Sequence, residues 1–205
     1  MTELSHLLSA LPHRAARVGL LGGSFNPAHA GHVHISQLAI SRLCVDRIWW
    51  LVSPQNPLKE RAAMAPLEAR LLRARSVAGT GRIDVSNLET ELGTIYTVDT
   101  IRSLTRVCPH IKFVWIMGAD NLSQVSRWRQ WRLLFRSLPI AIFDRAAYAR
   151  GALVSQAARE FSRSRLAARA ASSLVYNRAP AWVFIKSLLH PDSGTCLRSR
   201  GLWDC

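Results

Sequence analysis

The chain has 205 residues, 49% hydrophobic and 20% charged, a balance that suits one soluble globular domain with a sizeable core and excludes a disordered or fibrous chain. Its formal net charge of +14 is carried almost wholly by arginine, the lysines being Lys59, Lys112 and Lys186; guanidinium forks match phosphate, so anionic partners are favoured, the alternative being an arginine-rich solvated surface. Cys44, Cys108, Cys196 and Cys205 are widely spaced with no CxxC pair or zinc spacing, and the opening MTELSHLLSALPHRAARV is too broken for a signal or membrane span, so reduced thiols, a cytoplasmic location and no membrane partner are expected.

Residues 1–16 read as a loose or short helical leader ending near Pro12. The stretch VGLLGGSFNPAHAGHVHISQL, residues 18–38, then organises the chain. It predicts an apolar strand over 18–21, a small-residue loop over 22–30, and a helix opening at Gly31 or His32 and running to about Cys44. Gly22 and Gly23 lack a Cβ and permit a sharp turn and close approach of a ligand. A helix start presents unpaired N–H groups and a positive dipole end to a phosphate. His29 and His32 fall where that phosphate would lie, whereas His34 should face elsewhere and be structural.

The dense run RIWWLV, Arg47–Val52, predicts a strand covered on both faces, with Trp49 and Trp50 buried. Residues 53–66 carry Pro54, Pro57 and Pro66, so a loop follows where a parallel strand ends and ligands bind, which gives Lys59 a place facing the site. A helix with interleaved Arg70, Arg73 and Arg75 is predicted over 67–77, a strand over 83–92, and a turn and helix over 93–104 capped by Thr97 or a neighbour, with Asp99 in its first turn. KFVWIMG, Lys112–Gly118, is another buried-type strand; loop and helix follow over 119–135, and a strand over 139–144. Residues 145–178, rich in Ala, Arg and Ser, predict a helix over 153–171, and 181–186 close the series. Strands alternating with helices predict a doubly wound α/β parallel sheet of five or six strands, with helices on both faces.

The wording GGSFNPAHAGH, with His29-Ala30-Gly31-His32 as its HxGH element, resembles the HxGH nucleotidylyltransferases, and within them the bacterial nicotinate-nucleotide adenylyltransferases. The resemblance covers most of the chain and implies a Rossmann-like fold and adenylyl transfer from ATP to nicotinate mononucleotide. His29 and His32 would then hydrogen-bond the reacting phosphates with no covalent enzyme intermediate. Mg²⁺ would enter on the ATP phosphates, with no tightly bound cofactor and no protein metal site. Gly22, Gly23, Ser24 and Phe25 would line the ATP side. MGADN, residues 117–121, resembles the segment around the ATP ribose and adenine, through Gly118 and Asp120; the bland reading of Asp120 is a helix N-cap. Lys59 matches a basic position near the ATP phosphates.

The tail segment Ser193-Gly194-Thr195-Cys196-Leu197-Arg198 resembles the family's ISSTxIR motif, with Asp192 where an apolar residue is usual. Ser193 and Thr195 would meet ATP phosphates and Arg198 would clamp the β- and γ-phosphates, making residues 187–205 a phosphate-binding tail of a single domain. IYTVDT resembles the (S/T)YT element, which puts Thr97 near the pyridine mononucleotide. SRWRQW resembles the segment whose aromatic ring stacks on the pyridine. Trp128 would be that ring and Arg129 would offer its backbone amide, while Trp131 packs in the core.

Two other readings have a sequence basis. The same chemistry could take nicotinamide mononucleotide or phosphopantetheine as acceptor. A nucleic-acid-binding protein would account for the charge, but no RNP, KH, zinc-finger or helix-turn-helix pattern is present. No nucleic-acid partner is expected. A homo-oligomer is compatible with the sequence.

Overall fold

The computed structural model describes residues 2–12, 16–54, 64–144 and 149–186. The six predicted strands are present as β1 (Arg17–Gly23), β2 (Arg47–Val52), β3 (Ile83–Ser86), β4 (Lys112–Gly118), β5 (Ile140–Phe143) and β7 (Trp182–Ile185), and β6 (Arg165–Leu166) is a seventh. They pair in parallel in the order β3-β2-β1-β4-β5-β7-β6. The seventh strand has only two residues and gains its pairing at an edge from β7, which leaves no apolar run for sequence reasoning to find.

Each central strand is buried on both faces, so alternate side chains feed two separate cores. Leu20, Trp49, Leu51, Trp115, Met117, Ile140, Ile142, Trp182 and Phe184 point into one. Their neighbours Leu21, Trp50, Val52, Val114, Ile116, Ala141, Val183 and Ile185 point into the other. The first core is covered by helices that include α1 (Glu3–Ser9), α5 (Thr97–Val107), α6 (Ala119–Gln124) and α7 (Trp131–Ser137). The second is covered by α2 (Ala30–Leu43), α3 (Leu67–Ala78) and a 3₁₀ segment, Ala168–Tyr176. The leader is a docked helix: Thr2 caps it, and Leu7 is fully buried against the first core.

Two elements differ from expectation. The strand predicted over 83–92 stops at Ser86, whose hydroxyl accepts from the Leu88 N–H at 3.0 Å and turns the chain into α4 (Leu88–Glu91). The single helix predicted over 153–171 is instead α8 (Ala149–Leu153), α9 (Gln156–Glu160), a 3₁₀ turn, β6 and the longer 3₁₀ segment. Ser155 caps α9 by accepting from Ala158 N–H, and the buried Trp182 Nε1 donates to Phe161 O at 2.7 Å, fixing the chain where α9 ends.

Connections run from β1 outward to β2 and β3 along one layer, then return along the other to β4 on the far side of β1. The order therefore reverses between β1 and β4, and the crevice beyond their carboxyl ends is where an open α/β sheet receives its ligand.

Candidate active site

The end of β1 differs from the predicted glycine turn. Gly22 and Gly23 continue the strand, paired with Leu51 and Val52. Gly22 is required by packing, because a Cβ there would run into the Trp115 indole. The bend comes later, at Phe25, which is buried with φ of 45°.

Beyond this bend, the helix α2 begins at Ala30, one residue before the predicted opening, because His29 caps it. The two imidazoles cap reciprocally. His29 Nδ1 accepts from Gly31 N–H at 3.1 Å, and His32 Nδ1 accepts from His29 N–H at 3.2 Å. This is the geometry of a capping box with histidines in place of Ser and Glu. A ring that accepts at Nδ1 carries its N–H at Nε2, so both rings present Nε2 as a donor. Their centroids are 3.9 Å apart.

The pair is held by aromatic neighbours. Phe25 lies 4.8 Å from the His32 ring and 5.0 Å from Trp50, on which it stacks. Trp50 Nε1 donates to Ser36 Oγ at 2.8 Å, and Ser36 Oγ donates to His32 O at 2.8 Å. The buried Trp50 of β2 thereby reaches the first turn of α2. Ser53, just past β2, donates its N–H to Gly23 O at 2.9 Å and ties the two strand ends together.

Glu89, in α4, is a buried carboxyl close to this junction. Thr100 Oγ1 donates to Glu89 Oε1 at 3.3 Å, and Thr94 N–H donates to Glu89 O at 2.9 Å, linking α4 to the start of α5. Burial pushes its pKa from 4.5 up to about 7, partly opposed by hydrogen bonds from Thr100 and Ser53. Among the described residues Glu89 Oε2 has no hydrogen-bond partner.

Across the crevice, Gly118 ends β4 and is itself the N-cap of α6, so Asp120 sits in the first turn and not at the cap. The two segments resembling mononucleotide-binding motifs come together on the first core. Thr97 opens α5 after Tyr96, Trp128 is half-buried against that core, and the Arg129 guanidinium lies 4.6 Å above the Tyr96 ring. Trp131, with Trp49 and Trp50, is buried as predicted. Lys59, Ser193, Thr195 and Arg198 lie outside the described residues.

Arg70 and Glu89 were not legible as site residues. For Arg70 a signal existed: it shares the buried helical stripe with Leu67, Leu71 and Ala74. Glu89 gave none, since its partners are distant in sequence. Among the described residues there is no group of three or more His, Cys, Asp or Glu able to hold a metal, and no helix long and apolar enough to cross a membrane.

The family described as cytidylyltransferase-like matches residues 20–192. A probable nicotinate-nucleotide adenylyltransferase of Parvibaculum lavamentivorans is 47% identical, over 91% of this chain and 93% of the relative. Another, of Caulobacter sp. strain K31, is 48% identical over 90% of this chain and 97% of the relative. Among solved structures, Plasmodium falciparum nicotinic acid mononucleotide adenylyltransferase complexed with NaAD has a TM-score of 0.65 at 14% identity, covering 90% of this chain and 83% of that one. At that identity the likeness concerns the fold alone.

Proposed function

We infer the activity from kinship: the chain belongs to the cytidylyltransferase-like family and, within it, to the nicotinate-nucleotide adenylyltransferases. It transfers the adenylyl group of ATP to nicotinate mononucleotide, giving deamido-NAD and pyrophosphate, a step of NAD biosynthesis. A phosphate oxygen of the mononucleotide attacks the α-phosphorus, and the bond to the oxygen bridging the α- and β-phosphates breaks as pyrophosphate departs. The protein's work is to align the two phosphates and to meet the charge that gathers on the α-phosphoryl and leaving group.

His29 and His32 are the catalytic pair, each donating from Nε2 toward the reacting phosphates at the N-terminus of α2. Main chain from Gly22 to Phe25 lines the triphosphate, while Gly118 and Asp120 meet the ribose. Lys59, Ser193, Thr195 and Arg198 complete the phosphate contacts. On the acceptor side Trp128 stacks on the pyridine, with Thr97 and the Arg129 amide beside it. ATP enters as its Mg²⁺ complex, the metal travelling with the substrate, and the enzyme works in the cytoplasm.

Kinship carries the activity, and the observation that supports the catalytic role of the pair is the reciprocal capping of the two imidazoles, which leaves both Nε2 atoms as donors in one place. Pyrophosphate release with ATP and each of nicotinate mononucleotide, nicotinamide mononucleotide and phosphopantetheine tests it. Nicotinate mononucleotide should give the highest kcat/KM. Release with phosphopantetheine and neither pyridine nucleotide would defeat the assignment.

A further inference from the structure

Arg70 is a cation that the mechanism above leaves unused. It lies in α3 with 1% of its surface exposed. Its Nη1 donates to Ser24 O and to Ser53 O, both at 2.7 Å. Nη2 donates to Pro54 O at 3.2 Å, and Nε donates to Ala65 O at 2.9 Å. Among the described residues every partner is a main-chain carbonyl. These carbonyls belong to three segments: the turn after β1, the exit of β2 and the approach to α3. The same three are stitched a second time, since Ala65 N–H donates to the side-chain oxygen of the buried Asn26, and Ser53 N–H donates to Gly23 O.

A buried guanidinium that, among the described residues, faces carbonyls alone is an expensive way to fill a core, because there the desolvation of the charge is offset by hydrogen bonds and not by an ion pair. What the planar fork supplies is geometry. One nitrogen fixes the distance between the Ser24 and Ser53 carbonyls, which no flexible ammonium reproduces together with the other two bonds. Ser24 immediately precedes Phe25, whose ring packs on His32. Displacement of the Ser24 peptide therefore moves the surface against which the imidazole rests.

We propose that Arg70 is a positioning residue for adenylyl transfer: by clamping the Ser24 and Ser53 carbonyls it sets the turn that holds the His29–His32 pair in line with the α-phosphate. The proposal rests on the catalytic reading of that pair given above. It predicts that loss of the clamp lowers kcat while leaving affinity for the pyridine mononucleotide nearly intact, since the groups that bind the pyridine lie elsewhere; any rise in KM falls on ATP, whose triphosphate meets the main chain that Arg70 clamps.

R70K and R70M, compared with wild type in steady-state assays and by circular dichroism, provide the test. Folded R70K should lose about a hundredfold in kcat, the scale of a small misplacement at a reacting centre. KM for nicotinate mononucleotide should stay within about threefold of wild type, and any rise in KM for ATP should be smaller than the loss in kcat, the pattern of an interaction felt mainly in the transition state. A folded variant with wild-type kcat, or with a raised KM at unchanged kcat, overturns the proposal. Failure of both variants to fold overturns it too, by showing a need for Arg70 in the fold as a whole. If wild type itself releases no pyrophosphate, the functional reading fails separately. The ¹⁵N resonances of the His29 and His32 rings in wild type and R70K then decide the positioning role: altered tautomer signals support it, and unchanged ones sink it.

Discussion

Replacing Glu89 by Gln should change how stability depends on pH. In the folded chain the carboxyl has a pKa of about 7, against 4.5 for the unperturbed group, because burial disfavours its charged form. The folded state therefore holds this proton more tightly than the unfolded state. The stability linked to protonated Glu89 is fully present below pH 4.5 and is lost as pH rises through 7. A shift of this size corresponds to ~3 kcal/mol between the two ends of the window. Glutamine retains an oxygen in place of Oε1, the acceptor for Thr100, and cannot ionise. Its amide nitrogen replaces Oε2, which has no partner among the described residues, so any penalty there is the same at every pH. The informative quantity is thus the change, across pH, in the difference between the two proteins. Urea unfolding at a series of pH values from about 5 to 8 should show E89Q gaining on wild type by ~3 kcal/mol as the pH rises. In thermal melts that is on the order of 6–12 °C for a chain of this size. A difference that stays flat over the whole range would refute the reasoning, and with it the picture of an acid forced to ionise in a dry site.

Three further substitutions probe the site. His32→Ala should lower kcat by about 10²–10³, the range for removing one donor to a developing oxyanion, with the far-ultraviolet spectrum unchanged; unaltered turnover would dismiss its role. Trp128→Ala should raise KM for nicotinate mononucleotide by about tenfold or more, the scale of one aromatic stacking contact, and that for ATP much less; equal changes in both would argue against stacking. Gly22→Ala should destabilise the chain by ~1–3 kcal/mol, because the new methyl group meets the Trp115 ring. Wild-type stability of that variant in urea would mean that the indole gives way without strain.

Much of the architecture was legible because its strands are buried on both faces. At the length of RIWWLV or KFVWIMG, a continuous apolar run fits a strand covered by helices on each side and little else. The HxGH element also located the cap of α2, although the reason for the glycine at 22, ahead of that element, was different. Gly22 is small to admit Trp115, a contact between strands far apart in the chain that no local pattern encodes. Where reading failed, a hydrogen bond that no apolar pattern encodes decided the path: Trp182, distant in sequence, fixes the chain at Phe161 after α9, and the Ser86 hydroxyl, only two residues from Leu88, turns the chain out of β3. Arg70 follows the same logic with a clue attached, since a charged residue on an apolar stripe must find partners inside. Glu89 carried no such mark, because its partners Thr100 and Ser53 come from other elements of the fold.

The alternation of side chains across the sheet separates two design problems within one enzyme. The histidine helix is seated on one core, whereas the segments proposed to face the pyridine acceptor are seated on the other. The sheet between them acts as a partition, sharing backbone but few side chains. Drift in the acceptor pocket can accordingly retune which mononucleotide is chosen while the phosphate chemistry keeps its own foundations. Redesign of acceptor choice in this scaffold should begin with the start of α5, Trp128 and Arg129, and leave the layer beneath α2 untouched.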